Sequence, residues 1–271
     1  MSACLPIALL GALAGCLLAP PAAAQPTPPA AGRLRYEATR RVEANQVKIT
    51  SVTQNGQPVD MSAADLKLLL PETTSFVKTL VFSGDYAREE REHAGFVVGT
   101  GAKAPGPAPQ PGVRVSSTEA QYLNLAERTV ATVATIAEAQ YLSPTKPVPA
   151  PPAGWQELPQ QTRKIAGYLC HKVTVPFKKE TYTLWVTTGL PFTYSPVRAL
   201  TPTRGVVLAL SSNQEEYIAT KLTPEPVPEA DVRPALQARP VSEADLQELR
   251  AKAAADLRQR TMEQYTSAPQ R

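Results

Sequence analysis

Residues 163–187 have the sequence RKIAGYLCHKVTVPFKKETYTLWVT, and this stretch decides the fold that we predict. Arg163–Tyr168, Val173–Phe177 and Thr181–Thr187 are short runs rich in β-branched and aromatic side chains, with partial alternation of apolar and polar positions. Such runs favour β-strands. Turn signals lie between them, so consecutive strands are predicted to pair in an antiparallel arrangement.

Further runs of the same kind lie on either side of this stretch, spaced about a dozen residues apart. They are Phe76–Phe82, Gln121–Leu125, Thr129–Ile136, Gly205–Leu210 and Glu216–Leu222. The pattern predicts a mainly β fold with minor α structure, built as an antiparallel meander. A long meander with few helices must close, pair with a second sheet or have one face covered. We therefore expect a strongly curved, half-barrel-like sheet.

One short helix is predicted inside this β-rich region. Ser62 heads the pattern Ser-Ala-Ala-Asp, in which the hydroxyl of Ser62 and the carboxylate of Asp65 satisfy free amides of the first turn. Leu66–Leu70 supplies an apolar side, and Pro71 ends the helix.

A second helix is predicted at the C-terminal end, over residues 241–264. Ser242 heads Ser-Glu-Ala-Asp, and an apolar stripe from Leu246 to Leu257 follows. The stripe is narrow, so we expect this helix to rest weakly on the β-rich domain. A chain ending at Thr223 is then expected to melt within a few degrees of the full-length protein.

The chain contains 28 prolines and 14 glycines. Three segments are too dense in proline for a helix or a paired strand: Ala104–Gly112, Pro144–Pro152 and Pro224–Pro240. The first two are interpreted as hairpin excursions within one domain and the third as a boundary. The predicted division is a signal peptide at 1–24, a flexible tether at 25–32, a β-rich domain at 33–223, a proline-rich connector at 224–240, a helix at 241–264 and a tail at 265–271.

The N-terminal residues indicate export. Leu5–Ala19 is an uncharged apolar run, and Ala22–Ala24 forms a small-residue cleavage site, so a signal peptide cut after Ala24 is predicted. No other apolar run is long enough to span a membrane, so no transmembrane span is expected in the mature chain. An alternative stays open: Leu13–Cys16 is similar to a bacterial lipobox, which would make Cys16 a lipidated N-terminus. The favoured location is periplasmic or secreted, and an outer-membrane lipoprotein is the alternative.

Composition excludes some partners. The formal net charge is only +4, Lys and Arg are spread along the chain, and aromatic residues make up 6%, so nucleic acid is not an expected partner. After removal of the leader only Cys170 remains, so no intramolecular disulfide is expected. The sequence does not define the oligomeric state.

Five motifs follow one another along the chain: Pro71–Tyr86, Tyr122–Thr129, Trp155, Arg163–Lys172, which contains I-x-G-Y-x-C-x-K, and Tyr182–Trp185. Together they resemble the GLPGLI family, and the last two motifs are the most specific. The motif for which the family is named does not occur after Ser195-Pro196, where this chain has Leu200–Leu208. The resemblance implies a secreted or envelope-located bacterial protein of unknown function, and it supplies no catalytic residues.

No constellation of residues indicates catalysis. Cys170 and His171 are neighbours on a predicted strand, so their side chains point to opposite faces and cannot act as a thiolate and its base. One Cys and two His in the mature chain are too few for a zinc site, and no cofactor is expected. The acidic cluster Glu89, Glu90 and Glu92 is interrupted by arginines and is interpreted as a solvated face.

Four aromatic residues are the candidate site: Tyr168, Tyr182, Trp185 and Tyr194. They either line a ligand groove or pack in the core. The favoured hypothesis is a non-enzymatic exported protein that binds an apolar or extended ligand, such as a lipid, a peptide or an outer-membrane client, on a curved sheet. The alternative is a structural or assembly protein that docks a partner through its connector and C-terminal helix. An enzyme is the third and least favoured hypothesis.

Overall fold

The computed structural model describes residues 28–41, 53–54, 57–58, 72–93 and 118–267. The strands are β1 (Ala31–Arg41), β2 (Thr53–Gln54), β3 (Gln57–Pro58), β4 (Thr73–Ser83), β5 (Tyr86–His93), β6 (Thr118–Asn124), β7 (Thr129–Ile136), β8 (Ala139–Leu142), β9 (Lys146–Pro147), β10 (Gln156–Ile165), β11 (Tyr168–Phe177), β12 (Glu180–Thr187), β13 (Val206–Ser211), β14 (Glu215–Pro224) and β15 (Arg239–Pro240). The helices are α1 (Glu229–Val232) and α2 (Glu243–Ser267), and Arg198–Leu200 forms a 3-10 turn. The prediction of a mainly β fold with minor α structure is confirmed.

Thirteen strands form one mixed sheet, in the order β10-β11-β12-β13-β14-β1-β4-β5-β6-β7-β8-β15, with β9 added on β7. Its pairings are antiparallel except for that of β15 with β8. The sheet consists of two meanders, β4–β8 and β10–β14, which are joined because β1 pairs with both β14 and β4. The predicted internal helix at 62–70 and the proline-rich segment at 104–112 lie outside the described residues.

Short hairpin turns set the register of the strands. Ala166 and Gly167 have φ angles of 47° and 90°, and they connect β10 to β11 because Ile165 pairs with Tyr168. The run Arg163–Tyr168, predicted as part of one strand, therefore contains a turn. Ala137–Glu138 and Lys178–Lys179 form turns of the same length, also with positive φ at both positions. This is the turn geometry that matches the twist of antiparallel strands.

The second proline-rich segment does not form the predicted hairpin excursion. Residues 143–155 connect β8 to β10, and these two strands lie near opposite ends of the strand order. Within the segment, Lys146–Pro147 forms β9 and pairs with Thr129 and Val130 of β7. A proline can take part there because the pairing is only two residues long and lies at the edge of the meander.

One face of the sheet carries the main hydrophobic core. Along β1, Leu34, Tyr36 and Ala38 are buried and alternate with exposed residues, as expected of a strand with one covered face. The cover comes from residues 188–205 between β12 and β13, which we call the strap; the side of the sheet beneath it is the strap face. The buried apolar side chains of the strap are Leu190, Phe192, Tyr194 and Leu200, and they belong to the same cluster as the sheet residues.

The opposite face is covered in part by the proline-rich connector. Ser83 Oγ donates to Val227 O over 2.9 Å, and the Arg233 guanidinium lies 3.8 Å from the centre of the Tyr86 ring. Val232 is fully buried where α1 contacts β4 and β5. Residues 224–240, expected to be an extended boundary between domains, therefore pack against the sheet.

Helix α2 begins as the sequence predicts. Ser242 Oγ accepts from the Asp245 N–H over 3.1 Å, and Asp245 Oδ2 accepts from the Ser242 N–H over 3.3 Å, which is the reciprocal capping box. The helix spans Glu243–Ser267, so it extends three residues beyond the predicted end and into the predicted tail. Its first turns are anchored, since Leu246 is fully buried and Arg250 pairs with Glu119 over 2.6 Å. Within the described part of the chain, no helix is long and apolar enough to cross a membrane.

Candidate functional site

The strap divides the strap face into two halves. Over the apolar half, the rings of Phe192 and Phe82 lie 4.9 Å apart, and those of Tyr194 and Tyr36 lie 6.1 Å apart. The Tyr36 hydroxyl donates to Val207 O over 2.9 Å, so this buried polar group is satisfied. The apolar half is therefore filled by the chain itself.

A buried carboxylate lies where the apolar half ends. Glu89 of β5 accepts from the Tyr194 hydroxyl over 3.0 Å, from Lys78 Nζ over 3.0 Å and from an Arg198 nitrogen over 3.2 Å. These four residues, Glu89, Lys78, Arg198 and Tyr194, form what we call the Glu89 cluster. Two of them belong to the strap and two to the sheet, so the cluster ties the strap to β4 and β5.

Burial shifts the pKa values of two members of the Glu89 cluster, Lys78 and Tyr194. The pKa of Lys78 is lowered because burial penalises its charged form; Arg198 and Arg91 lower it further, whereas Glu89 opposes the shift. Burial, followed by the nearby charge of Glu89, raises the pKa of Tyr194 well above its usual value. Lys78 Nζ also donates to Pro196 O over 2.8 Å. The cluster combines one carboxylate with two cationic side chains.

Above the cluster lies a cleft of about 460 Å³, which we call the Arg91 cleft. Its charged lining residues are Arg40, Lys78, Glu89, Glu90, Arg91, Glu119 and Arg198. The Arg91 guanidinium stacks 3.8 Å from the centre of the Phe76 ring, and Phe76 meets the ring of Tyr217 edge-on at 5.8 Å. Among the described residues no carboxylate forms an ion pair with Arg91.

A second cleft of about 300 Å³ shares Arg40 with the first, and we call it the Glu180 cleft. Arg40 pairs with Glu215 over 2.8 Å, and the Tyr182 hydroxyl donates to the same carboxylate over 3.3 Å. Glu180 Oε2 is buried and has no hydrogen-bond partner. Because Arg40 lines both clefts, the two lie next to each other near the end of β1.

A third cleft, of about 250 Å³, lies beside the start of the strap. Its lining includes Thr188, Pro191, Thr193 and Arg204. Arg204 is the single charged side chain in its lining, which gives this cleft little chemistry.

The aromatic residues predicted as a site are not gathered in one place. Tyr168, Tyr182 and Tyr194 are buried, whereas Trp185 is half-buried and has the Arg163 guanidinium 5.9 Å from its ring centre. Tyr194 belongs to the Glu89 cluster, and Tyr182 lines the Glu180 cleft. Tyr168 packs in the core.

Charged residues line the clefts, and the sequence analysis did not select them. Glu89 was grouped with its neighbours on a solvated face, and that interpretation is wrong because Glu89 is buried. The period of two along β5 places Glu89 on the same face as buried Ala87, and this signal was present in the sequence. Nothing local marked Arg198, because its partners Glu89 and Gln121 lie on distant strands. Nothing local marked Glu180 either.

Cys170 has the environment of a structural thiol. It is buried, and burial raises its pKa to about 12, which keeps the thiol protonated. Its neighbour His171 is half-buried on the alternate side of the strand. The described residues contain no group of three or more His, Cys, Asp or Glu side chains that could hold a metal ion.

Comparison with known proteins found distant structural similarity only. No family model matches the sequence, and no curated protein matches it. A solved structure of PNGF-II in space group P21 has a TM-score of 0.49 and 13% identity, over 85% of this chain and 34% of that one. The C2 crystal form of PNGF-II has a TM-score of 0.48 and 13% identity, over 82% of this chain and 33% of that one. The chain therefore spans about a third of the length of these structures.

Proposed function

We propose that this protein is an exported, non-enzymatic protein of the cell envelope that binds an extended ligand on the strap face. The observation that carries the proposal is the pair of clefts that the strap leaves uncovered, joined at Arg40 and lined by charged and aromatic side chains. Two adjoining clefts of this kind fit a chain-like ligand better than a compact one. The resemblance to the GLPGLI family supports an envelope location.

Chain connectivity supports the strongly curved sheet that is part of this proposal. Nine strand-to-strand steps separate β7 from β10 in the strand order, which is about 43 Å in a flat sheet. Strand β9, which pairs with β7, ends at Pro147, and β10 begins at Gln156. The nine residue-to-residue steps between them can extend about 32 Å at most. This length limit supports a sheet whose two ends approach each other, as in a half-barrel.

The filling of the strap face favours a peptide over a lipid. Leu190, Phe192 and Leu200 occupy the apolar half, where an acyl chain would otherwise lie. The two clefts that remain present charged groups and three aromatic rings, which suit a polar chain with spaced side chains. An outer-membrane client in extended form would offer the same chemistry.

The test is to isolate the protein from the envelope of its native cells and to analyse it by native mass spectrometry. We expect added mass that is released on activation and fragments as a peptide. Added mass that fragments as a lipid, or a protein found in the cytoplasm with its leader intact, would contradict the proposal. Edman sequencing of the same material should begin at Gln25, whereas a blocked, diacylated Cys16 would indicate the lipoprotein alternative.

A structural or assembly role is the second candidate, in which residues 224–267 dock a partner. The fully exposed Leu236 in the connector favours this role, because a large apolar side chain there has no cover within the described chain. A protein partner that co-purifies with the wild type and is lost from Leu236→Ser would support the assembly role over ligand binding.

A further inference from the structure

The charges that line the Arg91 cleft do not balance. Glu90 pairs with Arg33 and Arg88, and Glu119 pairs with Arg250, all three being arginines outside the cleft lining. The acidic residues of the lining other than Glu89 are therefore already neutralised from outside.

The cations of the cleft are neutralised to a smaller extent. Arg40 is matched by Glu215, which leaves Lys78, Arg91 and Arg198 facing the single carboxylate of Glu89. The described lining thus keeps an excess of two positive charges. A cleft with walls of low dielectric concentrates this potential on whatever enters it.

Two arginines also have hydrogen-bond donors to offer. Arg198 Nε is buried and has no partner, although the same side chain donates to Glu89 and to Gln121 Oε1. The central guanidinium carbon of Arg91 lies 3.8 Å from the centre of the Phe76 ring, and no carboxylate of the described residues forms an ion pair with its N–H groups. Planar donors of this kind match the two oxygens of a carboxylate.

The adjoining Glu180 cleft is lined by the cations Arg40, Arg41 and Lys178, yet one of its carboxylate oxygens has no donor. Glu180 Oε2 is a buried acceptor without a donor, and a buried unpaired carboxylate oxygen costs free energy until a donor reaches it. A fatty acid brings a carboxylate but no N–H group. A peptide supplies both, because its backbone carries N–H donors and its side chains can carry carboxylates.

We infer that the two clefts bind an extended peptide segment with an acidic side chain, whose carboxylate is held by Arg91 and Arg198 while an N–H group of the segment donates to Glu180. This inference rests on the proposed function, because it names the ligand class for the same surface. Arg40 lies where the segment passes from one cleft to the other. The strap supplies Arg198, so the strap takes part in recognition.

Fluorescence anisotropy with two labelled heptapeptides tests the inference. One peptide alternates glutamate with threonine, and its twin replaces every glutamate with glutamine. We expect the acidic peptide to bind about ten to a hundred times more tightly, the range typical of hydrogen bonds to charged groups. Arg91→Gln should remove most of this difference, since Arg91 is exposed and its loss should leave the fold intact.

Arg35→Gln is the matched control. Arg35 is exposed on β1 and alternates with buried Leu34 and Tyr36, so it lies on the face opposite the clefts while carrying the same charge. We expect it to leave the affinity for the acidic peptide unchanged at 150 mM salt. If Arg35→Gln weakens binding as much as Arg91→Gln does, the attraction is general and the assigned site is overturned.

The outcomes separate this inference from the function on which it rests. If both peptides bind with equal affinity, the carboxylate site is overturned while the extended-ligand function stands. If neither binds at 1 mM, the proposed function fails as well. If octanoate displaces the acidic peptide at equal concentration, the clefts recognise a carboxylate without a peptide, and the assigned ligand class is overturned. Glu180→Gln should weaken both peptides by a similar factor, and an unchanged affinity would overturn the role of Glu180.

Discussion

Glu89 is the carboxylate on which strap and sheet both depend. It accepts from Tyr194 and Arg198 of the strap and from Lys78 of β4. A buried carboxylate with three donors is well compensated, but its removal would leave two cations close together in a poorly solvated site. Removal of Glu89 therefore lowers the free energy of unfolding by more than its ion pairs contribute to it.

We expect Glu89→Gln to lower the free energy of unfolding by about 3 kcal/mol, the scale for removing one partner of a buried ion pair. Glu90→Gln is the matched control on the same strand, since the Glu90 side chain is 35% exposed and forms surface ion pairs. Its expected cost is below about 1 kcal/mol. Urea unfolding followed by tryptophan fluorescence measures both variants, and equal costs would show that the Glu89 cluster does not tie the strap to the sheet.

Buried tyrosines predict a loss of stability at alkaline pH. The pKa values of Tyr36 and Tyr194 are raised well above 10.0, mainly by burial, so the folded state keeps both protonated after they ionise in the unfolded chain. Their contribution is complete below pH 10 and is lost as the pH rises toward their folded-state values. The lowered pKa of Lys78 acts in the opposite sense. Its contribution to stability increases with pH until the pH reaches the pKa that this lysine has in the unfolded chain. Burial also raises the pKa of Cys170 from 9.0 to about 12, so the thiol adds to the loss of stability above pH 9. These three groups together outweigh Lys78.

We therefore expect the free energy of unfolding to fall between pH 10 and 11 in urea titrations. Tyr36→Phe should reduce the slope of this fall, because the variant carries one fewer hydroxyl that ionises only when the chain unfolds. A slope that is identical in Tyr36→Phe and in the wild type would contradict the assignment.

At the scale of elements, the hairpin turns set the register while using unfavourable residues. Ala137 and Glu138 both have positive φ, which costs a residue with a side chain about 1 kcal/mol relative to glycine. Their sequence carries no Asn-Gly signal, so β7 and β8 pair in spite of the turn. Tertiary packing of the neighbouring strands overrides the local preference.

Replacing the β7–β8 turn with Asn-Gly should stabilise the protein. Ala137→Asn with Glu138→Gly places residues suited to positive φ at two exposed positions, and we expect a gain of about 1 kcal/mol. Thermal unfolding measures the gain. Ala137→Val with Glu138 unchanged is the reverse control and should lower Tm, because a β-branched residue resists positive φ.

At the scale of the whole molecule, the C-terminal part of the chain packs against the sheet. Val232, Ala238 and Leu246 are buried but lie outside the main core cluster. Val81, Ala131 and Val133 are likewise buried outside it, so the face opposite the strap has a small apolar core of its own. A short connector helix and the first turn of α2 complete this layer.

This layer reverses the expectation that a chain ending at Thr223 melts like the full-length protein. Losing two fully buried side chains, Val232 and Leu246, removes about 3 to 5 kcal/mol. We expect Tm to fall by about 10 °C, at 2 to 4 °C per kcal/mol for a protein of this size. Differential scanning calorimetry measures the change, and a fall of only a few degrees would contradict it.

Two leucines provide a matched pair for the same question. Leu246→Ala removes a fully buried side chain and should cost about 2 to 4 kcal/mol, whereas Leu236→Ala alters a fully exposed one and should cost almost nothing. If both variants unfold like the wild type, α2 is not anchored through Leu246.

Local sequence patterns determined the fold class of this protein and the start of helix α2. Runs of β-branched and aromatic residues predicted the mainly β class, because strand preference and period-two alternation are properties of neighbouring residues. The box of Ser242 and Asp245 predicted the start of α2, since its hydrogen bonds span only three residues. In β1, buried and exposed residues also alternate from Leu34 to Ala38. This strand was not predicted, because the charged residues Arg35 and Glu37 interrupt its apolar positions.

Only the tertiary structure determined which residues form the Glu89 cluster and the two clefts. Glu89 is buried because Tyr194 and Arg198, 105 and 109 residues away, reach it from the strap, and no local pattern encodes contacts at such separations. The same holds for the order of the strands, in which β1 joins two meanders, and for the clefts that meet at Arg40. Burial of a charge is set by which distant segment covers it, so the sequence predicted the strands while packing determined which charged side chains line the clefts.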